Sequence, residues 1–214
     1  MKVELIRYTP EADELCGELA AMCYDGKNPA RSLKRAMDGG HHSVAEHASF
    51  TFRVEGASRV LLSQITRHRI ASFSVQSQRY CGVKPEFVMP KTIIDAGYER
   101  EYEMICNAAY ELFCEMCAAK VPAEDARFVI PQGVECRFGV TMNARELLHF
   151  FELRCCRRAQ WEIRELAWAM LRACKQAAPE LFKYAGPPCL YGVCDEGGMS
   201  CGKPYEEAET GAQT

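Results

Sequence analysis

No run of eighteen or more apolar residues occurs in this chain of 214 residues, so no transmembrane helix and no membrane partner are expected. No G-x-G-x-x-G follows a strand pattern and no Walker A loop is present, which leaves a Rossmann site and a P-loop without support. Positive charge is not in surplus either. The formal net charge is -3, against the basic surface that a general nucleic-acid binder needs. The first seven residues read as a short strand and lack the apolar core of a signal peptide, so a cytoplasmic location is expected. Histidine is sparse, five in all, and His41 and His47 lie six apart rather than at the i, i+4 spacing of one helix face. No metal is expected.

What is present suits one globular domain: 48% hydrophobic and 26% charged residues. The thirteen cysteines are an odd number, and Cys16, Cys23, Cys106 and Cys174 fall at apolar helical positions. They read as small hydrophobes in a reduced compartment rather than a disulfide framework. Cys114 and Cys117 have C-x-x-C spacing but in mid-helix, which favours packing over reactivity. Cys189, Cys194 and Cys201 are three soft donors, one short of a structural zinc set and without a common knuckle spacing.

Helices are predicted over residues 10–26, 29–37, 58–69, 98–120, 122–130, 143–154 and 159–177. Ser58 and Asn143 are read as N-caps, with Glu146 completing a capping box, and Ser43 with Glu46 has the same spacing. In the long helix Tyr102, Ile105, Ala109, Leu112 and Met116 form the expected buried stripe. Alternation predicts strands over 48–55, 73–80 and 134–141. The third of these would place Val134, Cys136, Phe138 and Val140 on one face. In the second, Ser77 and Arg79 would share a face. After Pro188 the chain turns rich in Gly, Cys and Glu, giving a domain over 1–188 and a tail over 189–214.

Between Arg53 and Cys81 every cation other than His68 is arginine and none is lysine. Arginine grips phosphate with two parallel hydrogen bonds, which lysine cannot do. Arg67, His68 and Arg69 at a helix end, followed by Ser72, Ser77, Arg79 and Tyr80, read either as a nucleotide site or as a solvated basic face. Arg145 and His149 share a helix face, while Arg127 and Arg154 fall near apolar positions, which suits an interior ion pair or a pocket.

Taken in order, these residues resemble the flavin-dependent thymidylate synthases. The resemblance rests on Arg67-His68-Arg69, seven residues, then Ser77 and Arg79-Tyr80. His41-x-Ser43-x-x-Glu46-His47, Phe50-Thr51-Phe52, Gln64, Ala126-Arg127, Asn143-Ala144-Arg145 and Leu153-Arg154 with Ala159-Gln160-Trp161-Glu162 support it, over about residues 2–184. It implies an α+β fold, with a central, mostly antiparallel sheet flanked by helices in a single domain and a short Cys-rich tail. It implies methylation of dUMP to dTMP at C5, with methylenetetrahydrofolate as carbon donor, FAD as hydride carrier and NADPH as reductant. It further implies a homotetramer whose sites are each built from several subunits.

By the same resemblance Ser43, Arg67, His68, Arg69, Val75, Asn143, Ala144, Arg145 and His149 contact FAD. Gln64, Ile65, Thr66, Arg67, Val75, Gln76, Ser77, Gln78, Arg79, Arg127 and Arg154 contact dUMP. Arg154 is the catalytic residue, stabilising the ionised uracil. Val75 stands where relatives often carry a polar residue, so its contact is expected through main chain; His149 replaces an Asn. A nucleotide-binding regulator without catalysis, and a flavin reductase indifferent to dUMP, are the rival readings of the same arginines.

Overall fold

A computed structural model describes residues 1–23, 26–80 and 84–205. Four strands form one sheet: β1 (Lys2–Tyr8), β2 (Ser49–Ser58), β3 (Ala71–Val75) and β4 (Glu135–Asn143), in the order β1-β2-β4-β3. The helices are α1 (Ala12–Cys23), α2 (Pro29–Asp38), α3 (Arg59–Ile65), α4 (Lys91–Asp95), α5 (Glu99–Ala118), α6 (Ala123–Ala126), α7 (Ala144–Arg154) and α8 (Trp161–Ala177). Among the described residues no helix is long and apolar enough to cross a membrane.

The chain forms two compact units. One comprises Met1–Lys2, Val54–Ile65 and Ser74–Phe138; the other comprises Val3–Arg53, Thr66–Phe73 and Gly139–Thr214.

In the first unit Phe113, Ala126 and Val134 are buried together, with Phe87, Tyr110, Met116 and Cys117 packed on them. Here the predicted stripe of α5 is rotated. Cys106 and Phe113 face the core, while Ile105 and Leu112 are exposed. Seven of the eight uncharged residues between Tyr98 and Leu112 carry apolar bulk or small side chains, so the sequence leaves two candidate faces for one core to choose between. Ser58 caps α3 as expected, its Oγ accepting from Leu61 N–H at 3.0 Å.

In the second unit an aromatic chain forms the interior. Phe50 meets Phe182 edge-on at 5.2 Å, Phe182 meets Phe151 at 5.9 Å, and Phe151 meets Phe150 at 5.7 Å. Asn143 caps α7, its side chain accepting from Glu146 N–H at 2.9 Å. Gln160 caps α8 by accepting from Glu162 and Ile163 N–H. Exposed Cys23 and Cys114 depart from the packing role expected of them, and Cys16, Cys106 and Cys174 are buried as expected. The last tail residues, 206–214, and Cys81 lie outside the described residues.

Three local expectations fail. Helix α3 stops at Ile65, not near Arg69, and the chain then turns His68 into the interior. Gln64 and Arg67 therefore do not share a helix face. Strand β3 stops at Val75, so Ser77 and Arg79 lie in a turn where Ser77 Oγ accepts from Arg79 N–H at 3.1 Å. Residues His42–His47 form a 3-10 helix whose N-cap position is His41 rather than Ser43, and Glu46 pairs with Arg145.

Candidate active site

The second unit holds a buried polar relay at the C-terminal half of its aromatic chain. His68 is 5% exposed and Glu146 8%, and they meet at 2.9 Å between Nδ1 and Oε1. Arg154 donates from Nε to His68 Nε2 at 3.1 Å. The His68 ring lies edge-on to Phe150 at 4.9 Å and 5.9 Å from the ring of exposed His149.

This geometry decides the proton. A guanidinium only donates, so Nε2 of His68 accepts, and its remaining proton sits on Nδ1 and goes to Glu146. His68 is therefore neutral. Its pKa agrees: burial lowers it, and Arg154 and His149 lower it further against the opposing effects of its hydrogen bond to Glu146 and of the Glu146 charge. Burial also lowers the pKa of half-buried Arg154. The guanidinium is thus anchored at Nε by His68.

A pH dependence follows. An unfolded histidine takes up a proton near pH 6.5, but folded His68 does so only at lower pH. In that window the unfolded chain binds more protons, so stability rises with pH. The contribution of neutral His68 is complete above about pH 6.5 and falls away as the pH drops through the folded pKa. Thermal melts in this range should lose stability more steeply on acidification for the wild type than for His68→Gln. Equal slopes would speak against a neutral buried His68.

Near the start of α7, Arg145 binds Glu46, which ties the segment carrying Ser43 to this helix. Ala144 is fully buried, and its N–H donates to Ala48 O at 2.7 Å. Arg67 and Arg69 flank buried His68 and are both exposed.

The first unit brings together most of the remaining expected substrate residues. Gln76, Ser77 and Gln78 line a cavity of about 290 Å³, with Lys84 and Arg137 as cations and Glu55, Glu86 and Glu135 as acids. Gln76 N–H donates to Arg137 O at 3.0 Å, which holds the segment beside the end of β3. Two arginines converge on Glu124: Arg79 pairs with its carboxylate at 2.5 Å, and Arg127 Nε donates to its carbonyl at 3.1 Å. Ile65 is fully buried, so its side chain serves the core.

Glu146 and Glu124 are the polar partners that the sequence reading missed. Glu146 had a signal, since it lies four residues from Phe150 on the buried face of α7. Glu124 had none, because its tie to Arg79 is set by the tertiary fold. Burial, with Asp13 nearby, pushes the Cys16 thiol up to about 11, and burial raises the Cys155 and Cys174 thiols as well.

Comparison with known proteins places this geometry. A family model described as Thy1, thymidylate synthase complementing protein, matches residues 4–180. The flavin-dependent thymidylate synthase of Geobacter sulfurreducens is 45% identical, with 96% of each chain covered. That of Pyrococcus horikoshii is 42% identical over 92% of this chain and 90% of its own. Among solved structures, the UMP/dUMP methylase PolB from Streptomyces cacaoi, bound with 5-Br dUMP, has a TM-score of 0.76 at 23% identity, covering 85% of this chain and 93% of its own. The chain belongs to the flavin-dependent thymidylate synthase family. Its fold is the α+β arrangement expected, a central antiparallel sheet flanked by helices.

Proposed function

We propose that the flavin is FAD, that NADPH is the reductant, and that the buried Glu146–His68–Arg154 relay is the device that prepares the uracil ring. The reaction is that of the family: flavin-dependent reductive methylation of dUMP to dTMP with methylenetetrahydrofolate. The relay is the observation that carries the residue assignment.

The residues suit a flavin nucleotide in charge and shape. Arg145 offers a guanidinium on the first turn of α7, and Arg67 and Arg69 are exposed arginines beside His68. With Ser43, Val75, Asn143, Ala144 and His149 they form the FAD contacts. The cap engages Asn143 Oδ1, so Asn143 meets a ligand through its amide nitrogen, and buried Ala144 meets one through main chain. FAD, when bound, carries the hydride between NADPH and the one-carbon unit.

Gln64, Ile65, Thr66, Arg67, Val75, Gln76, Ser77, Gln78, Arg79 and Arg127 contact dUMP. The Arg79–Glu124 pair is half-exposed on both sides, and such pairs are worth about 0–1 kcal/mol. Arg79 therefore exchanges Glu124 for a phosphate dianion at small cost. Arg154 faces the developing negative charge of the uracil ring and stabilises it, which activates C5. Neutral His68 is essential to this: a protonated ring would lose the Arg154 hydrogen bond and set two cations side by side.

The chain works in the cytoplasm as a homotetramer, with each site completed by several copies. Exposed Met104, Ile105 and Leu112 on α5 support association, as an uncovered apolar stripe on the longest helix. In a direct test, FAD-loaded protein should oxidise NADPH at a rate that responds to dUMP. A colourless protein that refuses FAD, or NADPH consumption indifferent to dUMP, refutes the assignment of cofactor and reductant.

A further inference from the structure

Four cysteines line one cavity of about 220 Å³ in the second unit: Cys156, Cys189, Cys194 and Cys201. Three belong to the tail. The fourth comes from the turn between α7 and α8, a residue that sequence spacing could not associate with them. All four are free thiols, three of them half-buried and Cys201 exposed. Cysteine used as a small core hydrophobe is buried, as Cys16, Cys155 and Cys174 are, so packing does not explain this set.

The tail is also held to that turn by polar ties. Arg158 pairs with Glu196, between Cys194 and Cys201 in the chain. Arg157 Nε donates to Lys203 O at 2.9 Å, and Cys201 Sγ reaches the same carbonyl at 3.4 Å. Arg157 and Arg158 both stand in the cavity wall. The ties are exposed and individually weak, yet they converge where the thiols do.

We propose that the four thiols bind a cubane iron–sulfur cluster, one cysteine to each iron. A single tetrathiolate zinc needs every sulfur about 2.3 Å from one centre. Among the described residues no three metal-ligating side chains converge that closely. Four cysteines spread around a cavity of this size instead suit a cluster several ångströms across. Ligation releases four thiol protons to solvent and leaves every cysteine unoxidised; the resting cluster takes four sulfides with two ferric and two ferrous ions, supplied as ferric salt of which the added thiol reductant reduces half. Four thiolates make such a centre anionic, which Arg157 offsets in part, Arg158 being paired with Glu196 in the same wall. The cluster would clamp the tail to the α7–α8 turn and takes no part in carbon transfer.

The test uses the full chain, purified without oxygen and reconstituted with iron salt, sulfide and a thiol reductant. About four iron and four acid-labile sulfide per chain are expected. Dithionite should then bring up an EPR signal, visible only near liquid-helium temperature, that a flavin radical does not give. Cys194→Ser and Cys201→Ser should lose most of the iron, and Cys114→Ser on exposed α5 should keep it. One zinc per chain without iron, no metal after reconstitution, or full iron in Cys201→Ser would each overturn the proposal. The wild-type metal content decides even where a serine variant fails to fold.

Discussion

Arg154→Ala is expected to lower dTMP formation by about 100- to 1,000-fold while the protein stays yellow, the range seen when one preorganised donor to developing charge is removed. Arg154 is half-buried and anchored at Nε by His68. Burial lowers its pKa, which means that a compensating anion is worth more here than in water. An anionic uracil is such a partner. The groups assigned to the flavin are other side chains, so flavin absorbance should survive the substitution. Steady-state formation of dTMP, with bound flavin measured in the same preparation, checks both halves. A variant that makes dTMP at a near-normal rate would remove Arg154 from the mechanism.

The second large effect is expected at Glu146. In Glu146→Ala the Nδ1–H of His68 loses its acceptor inside the protein, at a cost of about 1–3 kcal/mol. For a chain of this size that lowers the melting temperature by roughly 2–12 °C. The imidazole is then free to change tautomer, and Arg154 loses a fixed acceptor. A displacement of this kind costs about 100-fold in rate. Glu146→Gln keeps an acceptor oxygen in place, so it should recover most of the activity lost in the alanine variant. If the glutamine variant is as impaired as the alanine variant, charge rather than tautomer control is what Glu146 supplies. Melting curves and dTMP formation on the two proteins separate these outcomes.

Local features were legible wherever the deciding atoms lie close in sequence. Ser58 and Asn143 cap their helices through N–H groups three residues on, and both were read correctly from spacing. The alternation of Cys136, Phe138 and Val140 put the core face of β4 where the fold has it. Legibility ended where a distant partner outbids a local one. Glu146 satisfies the capping-box spacing, yet its carboxylate crosses to His68, 78 residues away in the chain. Glu46 likewise pairs with distant Arg145. The turn at Ser77 could not be told from a strand, because a hydroxyl accepting its neighbour's N–H leaves no mark on hydrophobic periodicity. Ile105 and Leu112 failed for another reason: two apolar faces were available on α5, and the packing of Phe113 and Cys106 selected between them.

The site residues show the same division. Arg67-His68-Arg69 announced an anion-binding segment, but only the fold reveals that the middle residue turns inward as a neutral relay while its neighbours stay exposed. Arg79 and Arg127, 48 residues apart, converge because both bind Glu124.

Release of tritium from dUMP labelled at C5 tests the central claim most directly, measured with FAD, NADPH and methylenetetrahydrofolate present. Release that depends on the flavin and is matched by dTMP in equal amount is the expected result. NADPH oxidation without tritium release, or release without dTMP when folate is supplied, would contradict it.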